Sequence, residues 1–114
     1  MDKDLKVRTK IFALDVIRFC KFLKNDYISQ VLGKQLLRSG TSVGANTRSA
    51  FRGRSIKEFN AKIGIVVEEA DECVYWLELI EETIEHDTKS IHKLIKEANE
   101  LVAIFVSISK KNKT

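Results

Sequence analysis

The stretch Phe59-Asn-Ala-Lys-Ile63-Gly-Ile-Val66-Val-Glu-Glu-Ala70-Asp-Glu-Cys73-Val-Tyr-Trp-Leu77-Glu-Leu-Ile80-Glu-Glu-Thr-Ile84 decides the fold. Its apolar residues Ile63, Val66, Ala70, Cys73, Leu77, Ile80 and Ile84 recur in steps of three and four. At 100° per residue those steps gather them on one face, joined by Phe59 and Val74. A half-buried strand would alternate every second residue instead. The segment therefore reads as one long helix, about 56–85, with a buried stripe.

The same period continues on both sides and predicts three further helices, about 5–24, 27–52 and 89–109. The chain of 114 residues contains no proline to interrupt them. Asn25-Asp26, Gly53-Arg54-Ser55 and His86-Asp87-Thr88 punctuate the pattern. Asp26 and either Asp87 or Thr88 suit N-caps, and Ser55 with Glu58 has the capping-box spacing. Connections this short force consecutive helices antiparallel. The expected fold is all-α, a single up-down-up-down four-helix bundle spanning 1–114. The core is expected from Ala13, Val16, Ile17, Cys20 and Leu23 on the first helix, with Phe12 and Phe19 on its flank. The second helix offers Ile28, Leu32, Leu36, Val43 and Ala50. The fourth offers Ile91, Leu94, Ile95, Ala98, Leu101, Val102, Phe105 and Ile108. The basic run from Lys110 to Lys113 is expected to fray.

Composition narrows the functional classes. No apolar run approaches the roughly 20 residues of a membrane span, and Met1-Asp-Lys-Asp-Leu-Lys6 lacks the apolar core of a secretory leader. A cytoplasmic protein is expected. Cys20 and Cys73 lie far apart with no CxxC pairing, as reduced thiols that pack like small hydrophobes do. The net charge of +4 hides an asymmetry. Residues 1–57 carry 13 Lys and Arg against 4 Asp and Glu, whereas residues 58–114 carry 7 against 12. Such a split suits a polyanionic partner for one half, or attraction between halves of different molecules.

Three features exceed what a solitary bundle needs. On the third helix, Ile65, Trp76 and Leu79 fall beside or opposite the core stripe, with Tyr75 adjacent and Glu69 and Glu72 between them. An exposed patch of this kind is expected to be an oligomer interface, where Trp and Tyr are enriched. A tilted helix with a wide core stripe is the plainer account. On the second helix, Lys34, Arg38, Arg48 and Arg52 fall within roughly 80° of one another, with Arg54 and Lys57 nearby. They are candidate phosphate contacts, although most charge runs are simply solvated faces. The same helix carries Gly33, Gly40 and Gly44, each costing roughly 0.8–1.0 kcal/mol relative to alanine. They imply close helix packing, with Asn46 at the edge of the seam, or else a break around Ser39–Gly44.

Catalytic constellations fail one by one. His86 and His92 lack a Glu three residues before them, so di-iron Glu-x-x-His pairs are absent. HExxH, P-loop and GxGxxG patterns are also missing. The acidic group Glu68, Glu69, Asp71 and Glu72 fans around its helix, and a metal there would need converging ligands from elsewhere. No enzyme activity and no cofactor are expected.

Gln35-Leu-Leu-Arg-Ser-Gly-Thr-Ser-Val-Gly-Ala-Asn46, Lys57-Glu-Phe59, Glu68-Glu-Ala-Asp-Glu72 and Tyr75-Trp-Leu-Glu-Leu79 carry a resemblance. Over nearly its whole length the chain resembles the four-helix-bundle proteins encoded in intervening sequences of bacterial 23S ribosomal RNA genes. That family is similar to the accessory variability protein of diversity-generating retroelements, a basic pentameric bundle that binds nucleic acid and its reverse transcriptase. The resemblance implies a homopentameric ring with no catalytic residues to transfer. Ser49 stands where the family often has Glu.

Two functions remain from different classes. One is a ring that binds RNA or DNA through the second-helix cations. The other is a structural oligomer or adaptor for a protein partner, with those cations taken up by carboxylates. Whether Lys34, Arg38, Arg48 and Arg52 stay free discriminates them.

Overall fold

The computed structural model describes residues 2–111, folded into α1 (Asp2–Lys21), α2 (Tyr27–Phe51), α3 (Ile56–Thr83) and α4 (Thr88–Lys111). No strand occurs among the described residues. Lys110 and Lys111, expected to fray, continue α4; Asn112, Lys113 and Thr114 lie outside the described residues. No helix among the described residues is long and apolar enough to cross a membrane.

The punctuation residues start the helices by filling orphan backbone donors. Asp26 accepts the Ser29 amide at 2.9 Å, and Ser55 Oγ accepts the Glu58 amide at 3.1 Å. Glu58 returns to the amide of Arg54, one residue before the cap, at 2.6 Å. Asp87 accepts the Ser90 amide at 3.0 Å, so Asp87 rather than Thr88 caps α4.

The helices form a bundle 46 × 20 × 19 Å in extent. α2 packs against α1 and α3, and α4 packs against α3 and more lightly against α1, so α1 and α3 stand at opposite corners. Neighbouring helices run antiparallel. Gly33, Gly40 and Gly44 of α2 face Leu23, Val16 and Thr9 of α1 in reverse order. Along the α1–α4 side, Arg8 meets Glu97 and Glu100 while Lys24 meets Glu85.

The α3 and α4 stripes are buried as their periodicity predicts, from Ile63 to Ile80 and from Ile91 to Ile108, with Phe59, Val74, Ile84, Ile95 and Val102 partly buried at their edges. Two expectations need correction. On α1 the buried residues are Leu5, Thr9, Phe12, Val16 and Phe19, so Phe12 and Phe19 belong to the centre of the stripe rather than its flank. Ala13, Ile17, Cys20 and Leu23 are only partly buried, because the true stripe is rotated by roughly 55° from the expected one. The two large rings fill more of the core than Ala13 and Cys20 could. On α2, Leu36, Val43 and Ala50 are buried as expected, but Ile28 is 53% exposed and Leu32 half-buried, and Ser29, Gly33, Ser39, Gly40 and Thr47 complete the buried face.

That face is built for close approach. A Cβ at Gly44 would stand 3.3 Å from the Thr9 carbonyl oxygen of α1, so backbone meets backbone there. The helix is unbroken through Ser39–Gly44, and close packing replaces the alternative of a kink. Buried hydroxyls turn back onto their own helices: Thr9 donates to Leu5 O at 2.7 Å, Thr47 to Val43 O at 2.7 Å and Ser39 to Gln35 O at 3.0 Å. Asn46, expected at the packing seam, likewise donates to Ser42 O at 2.9 Å within α2. Small hydroxyl residues can thus line a core without leaving a donor unpaired.

Candidate nucleic-acid interface

Six cations were expected to form the interface: Lys34, Arg38, Arg48, Arg52, Arg54 and Lys57. All six are exposed. Arg38 is not free. Its Nη1 lies 3.1 Å from Glu69 Oε2, and its Nη2 lies 2.6 Å from Glu72 Oε1, both on α3. The Glu69 side chain is only 13% exposed, so this carboxylate is held where water reaches it poorly. The two acids, Glu69 foremost, hold the Arg38 guanidinium above its usual pKa. Arg38, expected in the phosphate stripe, and Glu69 and Glu72, expected at the subunit interface, are thus brought together within one chain by α2 and α3.

The Arg38 ion pair divides the stripe. Lys34 lies 14 residues before Arg48, roughly 21 Å along the helix, with a neutralised position between. Arg48, Arg52, Arg54 and Lys57 instead cluster where α2 ends, the chain turns and α3 begins. No carboxylate pairs with any of these four side chains among the described residues. The exposed carbonyls at the α2 C-terminus favour Arg48 and Arg52. Ring packing of Phe51 on Phe59, with centroids 5.4 Å apart, fixes the two sides of the corner relative to each other. What remains is a cationic corner suited to phosphate contacts.

The expected oligomer patch also divides. Ile65 and Tyr75 are 37% and 54% exposed. Trp76 and Leu79 are half-buried; Trp76 packs against the core, with Tyr75 set edge-on to it at 5.2 Å between centroids. The Trp76 indole N–H is buried and finds no acceptor among the described residues. Sequence reasoning missed a second apolar surface. Val7, Ile11 and Leu14 of α1 are 53%, 52% and 38% exposed. Their 4 and 3 spacing was visible, and the misplaced α1 core stripe concealed that they point away from it.

Elsewhere the charges close the bundle. Arg8 donates to both oxygens of Glu97 at 2.7 and 2.8 Å and to Glu100 at 2.9 Å. This two-toothed geometry is the stronger kind of ion pair, and its hydrogen bonds raise the Arg8 pKa. His92 Nε2 lies 3.0 Å from Glu81. No group of three or more His, Cys, Asp or Glu that could hold a metal forms among the described residues.

With this arrangement established, its relatives are informative. The 23S rRNA-intervening sequence protein family matches residues 3–107. The chain belongs to that family. A crystal structure of a protein of unknown function from the S23 ribosomal protein family of Bacteroides thetaiotaomicron VPI-5482, at 1.70 Å, superposes with a TM-score of 0.87. The two sequences are 36% identical, over 96% of this chain and 97% of the other. No curated protein matches significantly. For a member of the 23S rRNA-intervening sequence family, the four-helix architecture is thus shared with a solved relative. The cationic corner and the Arg38–Glu69–Glu72 network are described for this chain alone.

Proposed function

We propose that this family member is a non-enzymatic, ring-forming homo-oligomer, most simply a homopentamer, that binds RNA or DNA weakly and with little sequence preference. The observation that carries the reading is the corner of Arg48, Arg52, Arg54 and Lys57, exposed and unpaired among the described residues. Phosphate contacts position a protein on nucleic acid without reading sequence. One corner offers too few contacts for tight binding, whereas a ring repeats the corner and raises apparent affinity through linkage.

The test is RNA and DNA binding by the intact oligomer across a salt series. Affinity should fall with a log–log slope of roughly −0.9 per duplex phosphate neutralised. Replacing Arg48 and Arg52 with glutamine should reduce both affinity and slope. Binding indifferent to salt, or unchanged in that variant, would overturn the reading.

A second reading, a structural oligomer or adaptor for a protein partner, draws support from Arg38, whose charge is already answered by Glu69 and Glu72. Absence of nucleic-acid binding at low salt by a well-assembled oligomer would favour it.

A further inference from the structure

Among the exposed apolar strips of the bundle, those on α1 and α3 complement each other. The outward face of α1 carries the apolar strip Val7, Ile11 and Leu14. Beside it stand Lys10 and Lys21, exposed and without an ion pair among the described residues. The outward face of α3 carries Ile65 and Tyr75, with Glu68 and Glu82 exposed beside them and also without an ion pair among the described residues. Basic residues predominate beside the α1 strip, with Asp4 the exception, and acidic residues beside the α3 strip.

These faces cannot meet within one chain, because α1 and α3 occupy opposite corners of the bundle. They run in the same direction, since each is antiparallel to α2. A second copy translated and rotated about an axis along the bundle therefore presents its α1 to the first copy's α3 with the helices parallel. Gly64 adds a separate indication. It lies mid-helix on this side of α3, and a Cβ there would meet nothing within 4 Å, so no contact among the described residues explains the missing side chain. A helix interior tolerates glycine at a penalty, and a closely approaching neighbour supplies a reason.

We infer that the α1 face of one subunit packs on the α3 face of the next, a heterologous contact between copies of this chain; the inference rests on the oligomeric part of the proposed function. Because each copy carries both faces, the contact repeats until the ring closes. Opposite charges fix which face meets which, and like faces repel.

Light scattering on purified full-length variants tests it, with circular dichroism to verify helicity. Val7→Asp with Leu14→Asp spoils only the α1 face, and Ile65→Asp with Tyr75→Asp spoils only the α3 face. Each variant alone should have the mass of one subunit. An equimolar mixture should give a two-subunit species, since one intact α1 face and one intact α3 face remain. If either variant keeps the wild-type mass, forms a dimer alone, or the mixture stays at one subunit, the α1-to-α3 contact is wrong while an oligomeric wild type still stands. A wild type of one-subunit mass at micromolar concentration overturns the oligomer itself. Should an aspartate variant lose helicity, exposed charges serve instead. Lys10→Glu with Lys21→Glu, or Glu68→Lys with Glu82→Lys, should each weaken assembly, and all four changes in one chain should restore it. Assembly indifferent to both reversals would refute the contact.

Discussion

Val16 of α1 occupies the space that Gly40 of α2 leaves by having no side chain: a Cβ at residue 40 would stand 2.9 Å from Val16 Cγ1 and 3.0 Å from Cγ2. Val16 is fully buried and branched at Cβ, so it has little freedom to turn aside.

Gly40→Ala should therefore destabilise the protein by about 1 kcal/mol, the overpacking of roughly 1–3 kcal/mol outweighing the helix-propensity gain of nearly 1. Combining it with Val16→Ala should recover part of the loss, measured as a coupling energy in a double-mutant cycle by urea unfolding. Purely additive effects would show that the two residues do not press on each other. Gly44→Leu should be worse than Gly40→Ala, because the obstacle at Gly44 is the Thr9 backbone.

Arg38 should behave unlike the other α2 cations. Arg38→Gln leaves the poorly hydrated Glu69 carboxylate without its partner, and should lower the thermal midpoint, most at low salt. Nucleic-acid affinity should hardly change. Replacing Arg48 and Arg52 with glutamine should do the reverse. Equal loss of binding from both sets would mean that Arg38 is available to phosphate after all.

Acid stability should report the N-caps. Asp26 lies below its ordinary value of 3.8 because the Ser29 amide and then the Ser29 hydroxyl donate to its carboxylate. Asp87 is lowered in the same way by Ser90, the hydroxyl first and then the amide. A folded value below the unfolded one means that the stabilisation is present above about pH 4 and is lost as pH falls through the lowered value. Asp26→Asn keeps a capping acceptor but no charge, so its thermal midpoint should vary less between pH 5 and pH 2 than that of the wild type.

The thiols should be inert in the folded protein. Burial pushes Cys20 up to about 11 and Cys73 up to about 12, from an ordinary 9.0. Cys73 Sγ also donates to Ser39 Oγ at 3.4 Å. Alkylation at pH 8 needs thiolate, so both should react slowly until the chain unfolds. Fast labelling of Cys73 under native conditions would contradict the packing. Unfolded thiols ionise first as pH rises, so stability should decline above about pH 9.

The sequence by itself determined the helices, the caps of α2 and α3 and the cyclic order. A 3.6-residue period, the absence of proline, and Asp26 and Ser55 are local signals, and short connections leave adjacent helices little choice but to run antiparallel; the choice of Asp87 over Thr88 at α4 came from the structure. The stripes of α3 and α4 were legible because large aliphatic residues dominate them. On α1 the aliphatic and aromatic residues nearly surround the helix, and only packing against the other helices decided that Leu5, Phe12 and Phe19 go inward while Val7, Ile11 and Leu14 stay out. On α2 the buried face is made of small residues whose value depends on what stands opposite, as Gly40 does on Val16. The fate of the charges was equally non-local. Arg38 and its two carboxylates are 31 and 34 residues apart, and helical periodicity places charges on faces of their own helix without saying which neighbour they meet. The register of α2 against α3 decided that, and with it which α2 cations stay unpaired among the described residues.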